Sequence, residues 1–590
     1  MSSGMESLFE QAIEQHRAGD LASAEPSYRQ ILDAHPEHPE ALYLLGTLLL
    51  QAGRFAESIE LLERLTKSQP DSPDTWNNLG VAFKAAGQWE QATRAFEAAV
   101  RAQPEYTQAL VNLGMLMAER RLFADAEKCY RRVMELTPDD VETRQRLAFV
   151  LNSQDEAEEA EAIYRDLLAA NPADVEWQTG LGYALTRQER LDEAATLYEE
   201  ILRAQPEFVE LHNNLSYISE RRGRLEEAVA SAERALELRP EYADGYNNLG
   251  TAFRSQHRLD DACEAYQKAL GLQPEFPLAE FNLGTTHLLA GRYGEGWAGY
   301  ERRAETLPTP PRRFDKPRWG GEPLPGRTLF VVADQGFGDT FQFARFLSEV
   351  KARSQARVIL ECQSDVKSLL QGMTDVDVVV SDEEPTPEFD CWISLTNLPG
   401  LFDVELDTLP ADVPYLVSEA EPNSATAAFV NRVPPDHLKV GLVWQGNPRQ
   451  ARDAMRSCSP KHFGAMAGVE RVMFFSLQKG AASETGLTEL QEGIPIVDLS
   501  PMLHDFSETA TAMTELDLII TVDTATAHLA GALGRPVWAL LCHTPDWRWH
   551  LDRDDSPWYP TMRLFRQPSW GDWGSVISEV TNALREQSQD

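Results

Sequence analysis

Two short stretches of this chain carry residues whose types and order suit chemistry on an anionic ligand. One is Asp523-Thr524-Ala525-Thr526-Ala527-His528, which follows the apolar run Leu516 to Val522 and reads as the start of a helix. There the free N–H groups, two hydroxyls and the positive end of the helix dipole converge on one point, an anion site suited to a diphosphate. Ala530, Gly531 and Ala532 let that helix lie close to a sheet, and Gly534 with Pro536 ends it. The other stretch, Asp334-Gln335-Gly336-Phe337-Gly338-Asp339-Thr340, follows the run Thr328 to Ala333 and leads into a helix expected over Phe341 to Lys351. Gly336 and Gly338 allow positive φ and close approach of a ligand to the backbone. Asp339 is both a candidate general base and a good helix N-cap. The turn lacks the third glycine of the dinucleotide fingerprint.

A leaving diphosphate needs positive charge around it. Arg449, Arg452 and Arg456, with Gln445, Gly446 and Asn447, follow the run Val440 to Trp444, and Gln478-Lys479-Gly480 follows Val472 to Leu477. Each group stands where a strand's carboxyl end opens, although a solvated loop charge is the commoner fate of a single Arg or Lys. Asp375-Val376-Asp377 and Asp552-Arg553-Asp554 imitate an acidic metal-binding tripeptide, but so acidic a chain produces such matches by accident. The six cysteines are scattered without a closely spaced pair and read as buried small hydrophobes. No metal and no cofactor are therefore expected. Trp547, Trp549, Trp558 and Tyr559 can stack on a base or sugar, or seal two lobes together, the structural role being the commoner.

The elements that must position these groups are short apolar runs alternating with helical segments, the pattern of buried parallel strands in βαβ units. They fall into two series, Thr328 to Leu395 and Val440 to Leu541, separated by the polar stretch Glu419 to Leu438. Two doubly wound lobes, 326–435 and 436–585, facing each other across a cleft are expected, with ligands at the carboxyl ends of the strands. A Pro-rich stretch, 307–325, reads as a linker before them.

Ahead of it, over 5–306, the sequence keeps a period of 34 residues in several registers. Prolines recur from Pro36 to Pro274, small residues from Gly46 to Gly284 and from Ala24 to Gly296, and aromatics at Tyr28, Phe96, Tyr130, Tyr164, Tyr198, Tyr266 and Tyr300. This resembles the tetratricopeptide repeat, a helix hairpin whose stacked copies form a superhelix with a long groove. About nine units are expected, beginning near residues 5, 39, 73, 107, 141, 175, 209, 243 and 277. Asn78, Asn112, Asn214, Asn248 and Asn282 share the sixth position of the first helix, while Leu44, Arg146 and Gly180 interrupt the row. An amide ladder can grip a peptide backbone without reading its side chains. It can equally bond to a neighbouring hairpin.

Gly338-Asp339, together with Asp523-Thr524, His528 and the small residues after it, resembles the bacterial heptosyltransferase family over about residues 326 to 585. The resemblance implies the two-lobed GT-B fold and inverting, metal-independent transfer of a sugar from a nucleotide diphosphate sugar as co-substrate. It implies Asp339 as the base, with Asp523, Thr524 and His528 holding the donor; from their residue types and places at helix starts and strand ends, Thr526, Gly336, Gly338, Arg449, Arg456, Gln478 and Lys479 are expected to bind the donor with them. Ala525 departs from that family's usual glycine. The order of repeats and lobes also resembles the protein O-linked N-acetylglucosamine transferases, whose groove carries an asparagine ladder. A protein or peptide acceptor bound by the repeats is thus expected. The alternative is a non-catalytic scaffold that has kept the fold.

The balance of 54 basic against 93 acidic residues, a net charge of −39, disfavours nucleic acid and anionic membranes as partners. Met1 to Arg17 shows no basic start followed by an apolar core, and no stretch is long and apolar enough to span a bilayer. A cytoplasmic protein is the expectation.

Overall fold

The structure, a computed structural model, describes residues 3–307, 312, 314–418, 425–447 and 452–589, with the backbone alone at 3 and 481–485. Arg449 lies outside the described residues. The chain forms two compact units, residues 1–211 and 212–590.

The first unit holds six helix hairpins, from Ser3–Arg17 with Leu21–Ala34 to Val175–Arg187 with Leu191–Ala204. First helices start at Pro39, Pro73, Thr107, Val141 and Val175, as the period requires. Pro at the first position costs nothing there, because that N–H has no partner in a helix anyway. Asp20, Ser72, Asp140 and Asp174 cap helix starts through their side chains. Second helices stop at Ala34, Ser68, Ala102, Leu136, Ala170 and Ala204, two residues before each proline. Within each hairpin the turn needs a left-handed residue. Gly19, Gly53 and Gly87 supply it, and Arg121, Asp155 and Glu189 adopt the same positive φ one period apart. The small-residue register has a steric cause: a Cβ on Gly80, Gly114 or Gly182 would lie within 2.6 Å of the ring of Phe96, Tyr130 or Tyr198.

Three more hairpins follow, from Val209–Arg221 with Leu225–Leu238 to Pro277–Leu289 with Tyr293–Tyr300, and from residue 212 on they belong to the second compact unit together with the α/β lobes. One apolar cluster explains this membership. It joins Leu288, Leu289, Tyr293, Trp297 and Tyr300 of the last hairpin to Leu329, Phe341 and Phe343 of the first lobe and Leu529, Trp547 and Trp558 of the second. The described part of the Pro-rich stretch is not a free tether. Trp319 is buried, its N–H donates to the Trp392 carbonyl, and the Trp392 N–H donates to the Pro317 carbonyl.

The first lobe is a parallel sheet of β1 (Thr328–Val332), β2 (Arg357–Cys362), β3 (Val378–Ser381) and β4 (Cys391–Ser394) in the order β3-β2-β1-β4. The second is a parallel sheet of β5 (Leu438–Val443), β6 (Val472–Ser476), β7 (Ile496–Asp498), β8 (Leu518–Val522), β9 (Val537–Leu541) and β10 (Met562–Arg566) in the order β10-β9-β8-β5-β6-β7. Strand order reverses beside β1 in one sheet and between β5 and β8 in the other. These are the points where crevices open in doubly wound sheets. A final helix, Trp573–Gln587, covers the second sheet with Trp573, Val576, Ile577, Val580 and Leu584 in its core.

Candidate functional site at the confluence of two sheets

The segments after β1, β5, β6, β8 and β9 line one cleft of about 730 Å³, within the size range of small-molecule sites. Among its lining residues are Gly336, Gly338 and Asp339 from the first lobe, with Arg456, Gln478, Lys479, Asp523, Thr524, Thr526 and His528 from the second. Of the described residues expected around the donor, Arg452 alone is not in this lining; it pairs with Glu220 at 3.6 Å instead.

The local geometry corrects several expectations. The helix after β1 spans Phe337–Ala344, earlier than expected, so Gly336 is its N-cap and Asp339 sits in its first turn. Neither Gly336 nor Gly338 takes a positive φ. The reason for Gly338 is space: a Cβ there would stand 2.9 Å from His528 Cδ2 and 3.6 Å from Ala525 Cα. The two chemistry-bearing helices, Phe337–Ala344 and Ala525–Ala532, thus approach each other through a glycine. Thr524 caps the second helix by backbone position alone, its hydroxyl being 3.2 Å from that of Thr521.

Gln478 lines the cleft, but its amide is occupied in bracing the loop after β5. Its Oε1 accepts from the Trp444 and Gln445 N–H groups at 3.2 and 3.0 Å, and its Nε2 donates to the Gln445 carbonyl at 3.0 Å. Arg456 Nε donates to Asp453 Oδ1 at 3.1 Å, and Lys479 Nζ donates to the His504 carbonyl at 3.2 Å. Gly446 is forced by the same loop, because a Cβ on it would collide with Asp453 and Arg456.

His528 is buried and held on three sides. Its Nδ1 is 2.9 Å from the Tyr559 hydroxyl, its ring stacks on Trp549 at 5.2 Å, and Gly338 lies against its edge. Burial, with Arg548, Arg345 and Arg456 nearby, holds the imidazole well below its ordinary range, so it is neutral at pH 7. Trp547, Trp549, Trp558 and Tyr559 are buried, which gives these aromatics the packing role. Arg345 ties them to the first lobe by donating to the Trp558 carbonyl at 2.9 Å and to the Tyr415 hydroxyl at 3.0 Å.

The residue that the sequence reading missed is Arg548. It lies after β9 and is buried, and its guanidinium binds Asp339 Oδ1, Gln342 Oε1, Asp546 Oδ1 at 2.8 Å and the Tyr300 hydroxyl at 3.2 Å. The signal was available in Asp546-Trp547-Arg548, a charge pair at a strand's carboxyl end like the other site segments, but the surrounding tryptophans drew the reading to packing. Burial pushes the Asp339 carboxyl above its ordinary range despite Arg548. Burial also pushes Asp523 up to about 6, with Asp546 adding to the rise and Arg456 opposing it.

The Asp523 shift has a testable sign. An unfolded aspartate ionises near pH 4, whereas the folded one resists ionisation until about 6. The fold therefore loses stability as pH rises through that window. Asp523→Asn is expected to leave stability at pH 4 unchanged and to raise it at pH 7 by about 1–2 kcal/mol, the full shift being discounted for contact with solvent in the cleft. Unfolding curves at the two pH values check this, and parallel pH profiles of the two proteins would contradict it.

In the repeats, the asparagine row stitches hairpins together. Asn78 Nδ2 donates to the Tyr43 hydroxyl and Thr47 Oγ1 at 3.1 and 3.2 Å. Asn112, Asn248 and Asn282 donate to Asn77, Asn213 and Asn247 of the preceding hairpin at 2.8–2.9 Å. Asn214 is half-buried in its helix. Among the described residues no cluster of His, Cys, Asp or Glu is arranged to hold a metal, and no helix is long and apolar enough to cross a membrane.

Comparison with known proteins agrees with this architecture. Models of the tetratricopeptide repeat match residues 15–79, 77–141, 153–207, 187–243 and 247–309. The model described as glycosyltransferase family 9 (heptosyltransferase) matches residues 465–570. The chain thus carries tetratricopeptide repeats followed by a glycosyltransferase family 9 domain. Protein FlbA of Caulobacter vibrioides is 28% identical over 325 residues, 51% of this chain and 53% of FlbA, so the chain spans about half the length of this curated relative. Among solved structures, MamA overlaps 33% of the chain and 96% of its own at 20% identity, with a TM-score of 0.26. The APC/C hetero-tetramer Cut9–Hcn1 overlaps 45% of this chain and 52% of its own at 14% identity, with a TM-score of 0.33.

Proposed function

We propose that the cleft binds a nucleotide diphosphate sugar and transfers its sugar, with inversion and without a metal, to a hydroxyl of a protein presented by the repeats. The observation that carries this reading is that Asp339 of one lobe and the helix start Asp523–His528 of the other line one cleft, at the reversal points of both sheets.

In this reading the diphosphate lies at the N-terminus of the helix Ala525–Ala532, where unbonded backbone N–H groups and the hydroxyls of Thr524 and Thr526 meet it. Arg456 and Lys479 add positive charge as the leaving group gains negative charge. Neutral His528 serves as a hydrogen-bonding wall. Asp339 takes the proton of the acceptor hydroxyl as its oxygen attacks the anomeric carbon, and the sugar–phosphate bond breaks on the opposite face. Burial suits the task by raising the proton affinity of the carboxyl. In the repeats the amide donors of Asn78, Asn112, Asn248 and Asn282 already bond to the preceding hairpin, and Asn248 Oδ1 accepts from Asn247, so a peptide would be met chiefly by the side chains beside the row.

The test is incubation of the full chain with a panel of nucleotide sugars carrying a labelled sugar, alone and with candidate acceptor proteins. Label on a protein, or release of free sugar in its absence, is the expected result. An unchanged panel would sink the reading.

A further inference from the structure

We propose that Tyr300, the last aromatic of the repeat ladder, is a positioning residue for transfer: it holds Arg548, and through Arg548 it orients Asp339. The inference rests on the transferase reading of the cleft.

The evidence begins in the repeats themselves. In earlier hairpins the aromatic sixteen residues after the small residue of the first helix fills the space over it. Phe96 lies on Gly80, Tyr130 on Gly114, Tyr198 on Gly182 and Tyr266 on Gly250. In the last hairpin the space over Gly284 is filled by the backbone of Gly296 and Gly299. These two glycines let the helices close without an aromatic between them. Tyr300 stays stacked on Phe281 of its own hairpin at 6.2 Å but is not among the atoms closest to Gly284. Its ring packs edge-on to Trp547 at 5.5 Å and its hydroxyl accepts from Arg548 Nη2 at 3.2 Å.

Arg548 Nη2 also binds Asp339 Oδ1, so one nitrogen joins the tyrosine to the candidate base. The rest of the guanidinium is fixed by Gln342 and Asp546. A planar fork with four acceptors has one orientation that satisfies them all. Without the hydroxyl, Nη2 loses one of its two partners and the fork is free to tilt toward Asp546. The charged groups around Asp339 come from three elements: Arg548 and Asp546 after β9, Arg303 beside Tyr300 at the end of the repeats, and Asp523 with neutral His528 in the second lobe. Arg303 is itself tied to the first lobe through Ser394 and Asn397 at 3.0 and 2.6 Å. The end of the repeat array thus reaches the reaction centre by contact.

Arg548→Ala is a poor test, since it removes a buried side chain that pairs with half-buried Asp339 and with Gln342, Asp546 and Tyr300 at once, and so risks the fold. Tyr300→Phe in the full chain keeps the ring and removes only the hydroxyl. It is expected to lower kcat about 5- to 20-fold with donor KM unchanged, and to move the acid limb of the kcat profile up by about half a pH unit, because a less well paired Asp339 holds its proton longer. A second measurement needs no turnover. Unfolding of wild type, Tyr300→Phe, Asp339→Asn and the double variant between about pH 5 and 8 forms a double-mutant cycle. Non-additivity is expected, with Tyr300→Phe losing its effect once Asp339 is Asn. Additive effects at every pH, or an unchanged kcat and acid limb in an active enzyme, would overturn the proposal. A non-additive cycle in a protein that transfers no sugar would uphold the link and overturn the reading of the cleft.

Discussion

Asp339→Asn is expected to leave donor binding intact and to lower sugar transfer about 10²- to 10⁴-fold, the usual worth of a positioned general base. Asparagine is the informative replacement. It keeps the shape of the side chain and an oxygen for Arg548, and Arg548 retains Asp546, Gln342 and Tyr300 as partners. The fold therefore survives while the proton acceptor is gone. Initial rates with saturating donor, set beside the thermal shift that the same donor produces, separate the two effects. Transfer at the wild-type rate would reduce Asp339 to a structural anchor for Arg548.

Gly338→Ala is expected to cost about 1–3 kcal/mol of stability and to weaken donor binding. The added methyl meets His528 Cδ2 at 2.9 Å. That ring cannot retreat, because Trp549 stacks on it and its Nδ1 is 2.9 Å from the Tyr559 hydroxyl. The strain must go into separating the helices Phe337–Ala344 and Ala525–Ala532, whose relation defines the cleft. Gly336→Ala is the control. Its Cβ would meet only Asp339 Oδ2, at 3.5 Å, so the loss is limited to about 1 kcal/mol for a weaker cap. Equal effects of the two substitutions on the unfolding midpoint would contradict the steric account.

Much of this was legible in the sequence because the constraints were local. A period of 34 written in prolines and small residues gives the hairpin boundaries directly, and the apolar runs of the two series, Thr328 to Leu395 and Val440 to Leu541, locate nine of the ten strands. The tenth, Met562–Arg566, escaped because Arg563 and Arg566 break its apolar run, as suits an edge strand. What stayed hidden was set by contacts between distant segments. That Gly338 answers to His528, that Gln478 braces the loop after β5, and that Arg548 joins Asp339 to Tyr300 are facts of packing across 190, 33 and 209 residues or more. The membership of the last hairpins in the unit of the lobes was hidden for the same reason. Their sequence keeps the repeat pattern, and only the cluster around Trp297 and Tyr300 shows where their outer face is buried.

The central claim is that the helix start at Asp523–His528 holds the diphosphate of a nucleotide sugar. Its most direct test is thermal stabilisation of the full chain by nucleoside diphosphates and nucleotide sugars of each base, in wild type and in His528→Ala. Stabilisation of the wild type by one base, lost or sharply reduced in His528→Ala, is the predicted result. No stabilisation by any nucleotide, or a shift that His528→Ala leaves whole, would contradict it and favour a repeat scaffold that has kept the fold without the chemistry.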